Sequence, residues 1–342
     1  MIGISVYLSD EDAEERILRA SLSGIKLAFT SLHIPEESGV STERVGNLLS
    51  LFKKEGFEVF ADVSKKTPGM LGLNRFEDLK ELGVTSLRLD DGFKTEEMLE
   101  LASQFQIAIN ASTVGEKELK QWVDSGLRPG KMIAWHNFYP KPETGLDQEY
   151  FLQQQALYDS LSIPVYAFVP GDEDKRGPLH VGLPTLEDHR GQSPYVSAVQ
   201  LKRWGVTGVF VGDPGCSAEL LQKLEHFDRE DVIELSYEGS GEIEGEYQLR
   251  PDPGRDVLRL LKTRTIEMVP PLNSVERPRG TITRDNDSYG RYRGEMQIVR
   301  HDLDCNPAVN VMGKICKSDL PLIESCQPGQ KLRLIRGTDL VE

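Results

Sequence analysis

Two aspartates close short apolar runs in a way that points to acid–base chemistry: Asp62 in "FEVFADV" and Asp90 in "VTSLRLD". On neighbouring β-strands, which lie about 4.8 Å apart, two such carboxyls repel and one pKa rises. A protonated carboxyl beside an ionised one is what glycosidic bond cleavage needs. Side chains alternate between the faces of a strand. With Leu87 and Leu89 packed outward on helices, Arg88 and Asp90 point inward and Asp91 starts the next loop. An inward Asp two residues after an inward Arg is also the pattern of a buried structural ion pair. Cations gather in a second place, the stretch "VPGDEDKRGPLHVGLPTLEDHRGQSP", which holds Lys175, Arg176, His180, His189 and Arg190. A forked guanidinium matches a phosphate or carboxylate bidentately, and a lysine acts as a point charge. The interspersed Asp172, Glu173 and Asp174 also allow a solvated, mixed-charge loop. A further stretch, "HNFYPKPETGLD", supplies His136, Asn137, Tyr139 and Lys141, as ligand contacts or as ordinary loop polarity.

The elements that must position these residues follow an alternating pattern. Eight β-type runs, "IGISVYL", "IKLAFTSL", "FEVFADV", "VTSLRLD", "QIAIN", "KMIAWHN", "IPVYAFV" and "VTGVFV", are separated by amphipathic segments. Several of those segments stop at Gly24, Gly56, Gly83, Gly126 or Gly205, where glycine suits a left-handed C-cap. This predicts an α/β fold, a (β/α)₈ TIM barrel over residues 1–229. A doubly wound open sheet is the alternative, but "YLSDEDAEE" replaces the glycine-rich turn expected after its first strand. Alternation sends Gly3, Ser5, Tyr7 and Ser9 inward on the first strand, Thr30 on the second, Glu58, Phe60 and Asp62 on the third, and Asn110 and Ser112 on the fifth. Strands six and seven are apolar on both parities and carry no such signal. A polar set of Tyr7, Thr30, Asp62, Asp90 and Asn110 is therefore expected at the C-terminal mouth, where barrel enzymes keep their chemistry. Residues 230–342 read as a smaller, mostly β domain, with one helical signal at "PGRDVLRLLK".

The formal net charge of −15 argues against a nucleic-acid or anionic-membrane partner. The N-terminus has neither a basic region nor a long apolar run, so a cytoplasmic protein is expected. Four cysteines without C-x-x-C spacing predict reduced, structural thiols. No metal-ligand spacing, nucleophile elbow or Walker loop stands out, so no metal and no cofactor are expected.

Taken together, "ISVYLS", "FTSLHIPEE", "ADVS", "LRLDDGF", "NASTV", "HNFYPKPETGLD", "AFVPGD", "RGPLHVGLPTLEDHR" and "VFVGDP" resemble the 6-phospho-N-acetylmuramidase family, bacterial proteins earlier labelled outer surface proteins. The resemblance spans the whole chain. It implies a TIM-barrel glycosidase domain followed by a cyclophilin-like β domain. The implied activity is hydrolysis of the disaccharide of N-acetylmuramic acid 6-phosphate and N-acetylglucosamine during peptidoglycan recycling. The substrate would be delivered by a sugar phosphotransferase uptake system. Asp62, Asp90 and Glu187 all lie in family blocks, and any two could form the catalytic pair. Our expectation is that Asp90 and Glu187 carry the acid/base or nucleophile roles and that Asp62 tunes Asp90 or orients the sugar. Arg176, His189, Arg190 and Lys141 are expected to meet the phosphate or lactyl carboxylate. Tyr7, Thr30, Asn110, His136, Asn137 and Tyr139 are expected to line the sugar site. In the second domain Arg279, Arg284 and Arg293 either close over the mouth or decorate strands. A sugar-phosphate sensor without catalysis, or a phosphosugar isomerase or lyase, are the readings outside this class.

Overall fold

The structure, a computed structural model, describes residues 1–32, 40–89 and 92–337. The chain divides into two compact units, Met1–Glu225 and His226–Glu342. In the first, β1 (Ile2–Ser5), β2 (Leu27–Ser31), β3 (Glu58–Val63), β4 (Val84–Leu89), β5 (Gln106–Asn110), β6 (Met132–Trp135), β7 (Val165–Val169) and β8 (Gly208–Val211) form a parallel barrel that closes through β1 and β8. The intervening helices are α1 (Ala13–Leu22), α2 (Thr42–Lys54), α3 (Thr67–Met70), α4 (Thr95–Gln104), α5 (Glu116–Asp124), α6 (Gln148–Ser160), α7 (Pro194–Arg203) and α8 (Ala218–Glu230). Local chemistry starts and stops them. The Ser41 hydroxyl accepts the Arg44 N–H at the start of α2, and the Asp147 carboxylate accepts the N–H groups of Glu149 and Tyr150 at the start of α6. Gly56, just past α2, sits at φ +75°, a conformation that costs a residue with a Cβ.

The barrel interior is solid below its mouth. Phe29, Phe60, Trp135, Tyr166, Phe168 and Phe210 form one buried cluster, with the Trp135 and Phe210 rings 4.5 Å apart. Gly3 makes room for it, since a Cβ there would lie 2.2 Å from the Phe210 ring. This plug sets the parity of every strand it touches. Trp135 points in, so His136 turns outward and Asn137 inward, which orients a strand that hydropathy leaves ambiguous. Phe29 also points in, and the expectation for Thr30 is overturned: Thr30 faces the helices, fully buried, and Ser31 takes the inward position. Barrel interiors are packed cores, so a bulky aromatic is as much at home inside as outside. One register row above the plug, Ser31 pairs with Asp62 and Asp62 with Arg88 across β2, β3 and β4.

The second unit is a seven-stranded sheet in the order β10-β15-β9-β14-β12-β13-β11. Its elements are β9 (Val232–Gly239), β10 (Gly245–Gln248), β11 (Val257–Arg259), β12 (Thr281–Asp285), β13 (Met296–Val299), β14 (Val309–Ile315), α9 (Leu322–Ser325) and β15 (Lys331–Arg336). The helical signal at "PGRDVLRLLK" is not realised. Leu258 pairs with Ile298 on β13 and Leu260 bridges Leu249, both leucines buried, while Arg259 between them bonds Glu295. Cross-strand pairing overrides the local helix preference. Arg279 donates to the Leu320 carbonyl, and Arg293 lies 2.6 Å from Asp287.

Candidate active site

The mouth has an acid-bearing side built by β3, β4 and β6. Asp62, 6% exposed, accepts from Arg88 Nη1 at 3.1 Å, and Arg88 Nη2 donates to the Asn137 side-chain carbonyl. Asn137 cannot drift. Its N–H donates to Ser112 Oγ at 3.0 Å and its backbone carbonyl accepts from Thr185 Oγ1 at 2.9 Å. The guanidinium thereby spans a carboxylate and an amide in a fixed fork. Beside it, the buried Ser31 hydroxyl has no hydrogen-bond partner among the described residues. Asp90 lies outside the described residues.

Across the ring, β1, β7 and β8 build a cation-bearing side. Tyr7 is buried, its hydroxyl donating to the Gly212 carbonyl at 2.7 Å, and burial holds its pKa well above the usual phenol range. The Arg176 guanidinium lies 3.6 Å over the Tyr7 ring. Its backbone N–H donates to Asp213 Oδ1 at 3.1 Å. The turn after β1 is braced from α2, where Arg44 donates to the carbonyls of Leu8 and Asp10, and from α1, where Arg16 reaches the Asp10 carboxylate at 2.7 Å. Burial pushes the Asp10 carboxyl up from its ordinary value. A closed barrel mouth with an acid clamped on one side and a cation stacked on the other is suited to a polar, anionic substrate.

Residues 2–226 match the N-terminal region and residues 226–335 the C-terminal region of the 6-phospho-N-acetylmuramidases. The chain belongs to the 6-phospho-N-acetylmuramidase family. It is similar to a conserved protein of unknown function from a locus in Enterococcus faecalis, at 33% identity over 98% of this chain and 96% of that one, with a TM-score of 0.86. It is also similar to an uncharacterized B. cereus protein, at 25% identity over 98% and 99% of the two chains, with a TM-score of 0.82. No curated protein matches the chain.

Within this 6-phospho-N-acetylmuramidase fold, several expected site residues have other work. Glu187 is a clasp. Its Oε1 accepts from the Glu143 N–H and from Arg190 Nε, and its Oε2 accepts from the Gly145 N–H and from Arg190 Nη2, at 2.7 to 2.9 Å. The Arg190 guanidinium and these backbone donors hold its pKa at about 2, so it has no proton to give at neutral pH, and the expectation of an acid role does not fit this geometry. Arg190 is equally committed, donating also to the carbonyls of Tyr139 and Gly182, and is no phosphate ligand. His189 is 1% exposed and stacks on Trp204 at 6.0 Å, and burial lowers its pKa to about 4. It is a neutral part of the wall, not an anion contact. His136 is fully buried against Phe151 of α6, its Nδ1 3.2 Å from Ser112 Oγ, with burial lowering its pKa to about 3, and it too leaves the site.

Others stay at the mouth in altered roles. Asn110 Oδ1 accepts the Ser112 N–H at 3.0 Å and shapes its own turn. Tyr139 is half-buried and knitted by its backbone to Pro184, while Lys141 is exposed on the rim. Lys175 Nζ donates to the Gly171 carbonyl, and exposed His180 meets the Lys175 carbonyl at 2.7 Å. Sequence reasoning overlooked Ser31, Thr185 and Asp213. The visible signal for Asp213 was an aspartate in "VGDP", directly beyond the last barrel strand. Among the described residues no group of His, Cys, Asp and Glu could hold a metal ion, and no helix is long and apolar enough to cross a membrane. The four cysteines are free thiols.

Proposed function

We propose that this chain hydrolyses the glycosidic bond between N-acetylmuramic acid 6-phosphate and N-acetylglucosamine, a cytoplasmic step of peptidoglycan recycling downstream of phosphotransferase uptake. The observation that carries the reading is the Asp62 carboxylate clamped by Arg88 at the mouth of a barrel belonging to this family. In the reaction, the leaving sugar oxygen takes a proton from a carboxylic acid as the C1–O bond breaks, and water supplies the new hydroxyl at C1. Asp62, oriented by the Arg88 guanidinium, supports the positive charge that develops at C1, as nucleophile, base or electrostatic partner. The sequence supplies Asp90, two residues beyond Arg88, as the proton donor. Glu187 is assigned to loop architecture, and Arg176 and Lys141 to the anionic groups of the substrate.

Incubating the protein with the phosphorylated disaccharide in ¹⁸O-water tests this. One heavy oxygen should appear at C1 of the muramic acid product, and Asp62→Asn and Asp90→Asn should each lower kcat by roughly 10²- to 10⁴-fold. An unlabelled product would indicate an isomerase or lyase. Wild-type turnover in both variants would remove these carboxylates from the chemistry.

A further inference from the structure

The second unit turns apolar side chains into water at one place. In the connection between β11 and β12, Ile266 is 96% exposed, Met268 80% and Leu272 70%. Single exposed apolar residues are ordinary, but three within seven positions mark a surface that something covers. The segment that carries them is firmly held. The Thr265 N–H donates to the Arg293 carbonyl at 3.0 Å, Arg293 Nη1 donates to the Ile266 carbonyl at 3.1 Å, and the N–H groups of Val269 and Asp287 reach Asp287 Oδ1 and the Val269 carbonyl at 2.9 and 2.8 Å. Segments 264–269 and 287–293 therefore run side by side. Beyond them Asn310 accepts the Leu272 N–H and donates to the Pro270 carbonyl, both at 2.9 Å. The backbone of the tip thus has its polar groups paired within the unit, which removes the main cost of taking it out of water.

The charge beside this tip has the opposite sign to that of the whole protein. Residues 259–300 hold nine Lys and Arg against five Asp and Glu, a local +4 in a chain of −15. Glu295 is taken up by Arg259 and Arg264, and Asp287 by Arg293. Lys262 and Arg291 are exposed and have no carboxylate partner among the described residues. Arg291 lies 4.8 Å over the Tyr292 ring and Arg264 lies 4.4 Å over the same ring, so two guanidiniums share one aromatic beside the apolar tip. Tyr289, 39% exposed, stands on the same segment, and tyrosine favours the boundary between apolar and aqueous layers. Exposed Glu267, between Ile266 and Met268, is the opposing charge.

A second copy packed face to face would set Lys262 and Arg291 against their own kind. A flat protein surface would cover one side of a projecting residue, whereas side chains as bare as Ile266 and Met268 are fully buried only by a medium that closes around them. We propose that segments 264–272 and 287–293 dock the second unit on a bilayer with anionic headgroups, Ile266, Met268 and Leu272 entering the apolar layer while Lys262 and Arg291 meet lipid phosphates. The inference is independent of the hydrolase reading.

Cosedimentation of the full chain with vesicles of phosphatidylcholine, alone or mixed with phosphatidylglycerol, tests it. The wild type should bind the mixed vesicles, bind the neutral ones far less and come off as salt is raised. Ile266→Asp and Met268→Asp should each lower the partition by roughly 10- to 100-fold, with the melting temperature unchanged because both side chains lie outside the core. Arg291→Glu should weaken binding and Glu267→Lys strengthen it, by roughly fivefold per unit of charge altered. No binding by the wild type, or Ile266→Asp binding like it, would overturn the proposal. So would a concentration-dependent dimer of the wild type that Ile266→Asp dissolves without any vesicle binding, which would give the face to a second copy. In solution without vesicles all four variants should turn over the phosphorylated disaccharide at the wild-type rate; a loss of turnover with vesicle binding unchanged would hand the patch to the reaction instead. Vesicle binding is read without substrate, so a chain that binds vesicles and cleaves nothing keeps this inference and ends the hydrolase reading.

Discussion

On the β3–β4 side of the mouth the Asp62 carboxylate meets the side chain of Arg88, and on the β7–β8 side Asp213 accepts three backbone N–H groups while Glu187 accepts two together with the Arg190 guanidinium. All three are acids near one rim, and residue type alone does not separate them. What Asp213 and Glu187 share is acceptance of main-chain N–H groups from the loops. Asp62 faces a guanidinium that is itself tethered to Asn137. An acid that accepts several main-chain hydrogens becomes part of the loop's skeleton, because moving it would strand each of those donors. The role of an acid is written in what donates to it.

The sharpest way to break this contrast is to neutralise each acid without changing its shape. The kcat loss expected for Asp62→Asn should have no counterpart in Glu187→Gln, whose activity should fall less than tenfold; comparable losses would erase the distinction. Next in size, Arg88→Leu takes the guanidinium away from buried Asp62 and should cost about 3–5 kcal/mol in denaturant unfolding. Glu187→Gln should cost about 1–2 kcal/mol at neutral pH, discounted for the partial exposure of the clasp. The pH dependence gives it away. Because the folded pKa of Glu187 is depressed to about 2, its contribution is full above pH 4.5 and fades as pH falls through 2, so wild type and variant should converge there.

Smaller effects extend the contrast from the rim to the two units. His136 and His189 are buried neutral with pKa values of about 3 and 4, so the barrel keeps its full stability above pH 6.5 and loses it as the unfolded chain takes up protons below that. His189→Phe should flatten the slope of stability between pH 6.5 and 4. In the second unit the sign reverses. Burial, then the charge of Glu295, raises Asp285 to about 7 against the pull of Arg259, Arg264 and Arg277. A raised acid favours folding below pH 3.8 and withdraws that support as pH climbs through 7. Asp285→Asn should therefore stabilise the chain at pH 8 and change nothing at pH 4; equal effects at both would show that its environment is not what shifts it.

Much of this arrangement is legible in the chain itself. The eight strands announce themselves, and inward parity is readable on β3 and β4 because polar Asp62 and Arg88 interrupt apolar alternation. Parity fails on β2, where Phe29 and Thr30 are both compatible with burial and only the plug decides between them. It is silent on β6 and β7 for the same reason. The loop residues were the harder part. His189 and Arg190 look like free cations in a polar stretch, and nothing local reveals that one lies under Trp204 and the other is clasped by Glu187, although the Glu187–Arg190 spacing of three residues was a usable hint. Asp213 shows the limit most clearly, since a role made of backbone hydrogen bonds leaves no pattern beyond a single acid after a strand.

The aromatic plug has a consequence for traffic. Six buried rings fill the barrel interior, so a molecule that reaches Asp62 and Arg88 must come and go at the C-terminal end of the strands. Under the proposed hydrolysis both product sugars would leave by that end, and product inhibition competitive with the incoming substrate is the trace expected in steady-state kinetics.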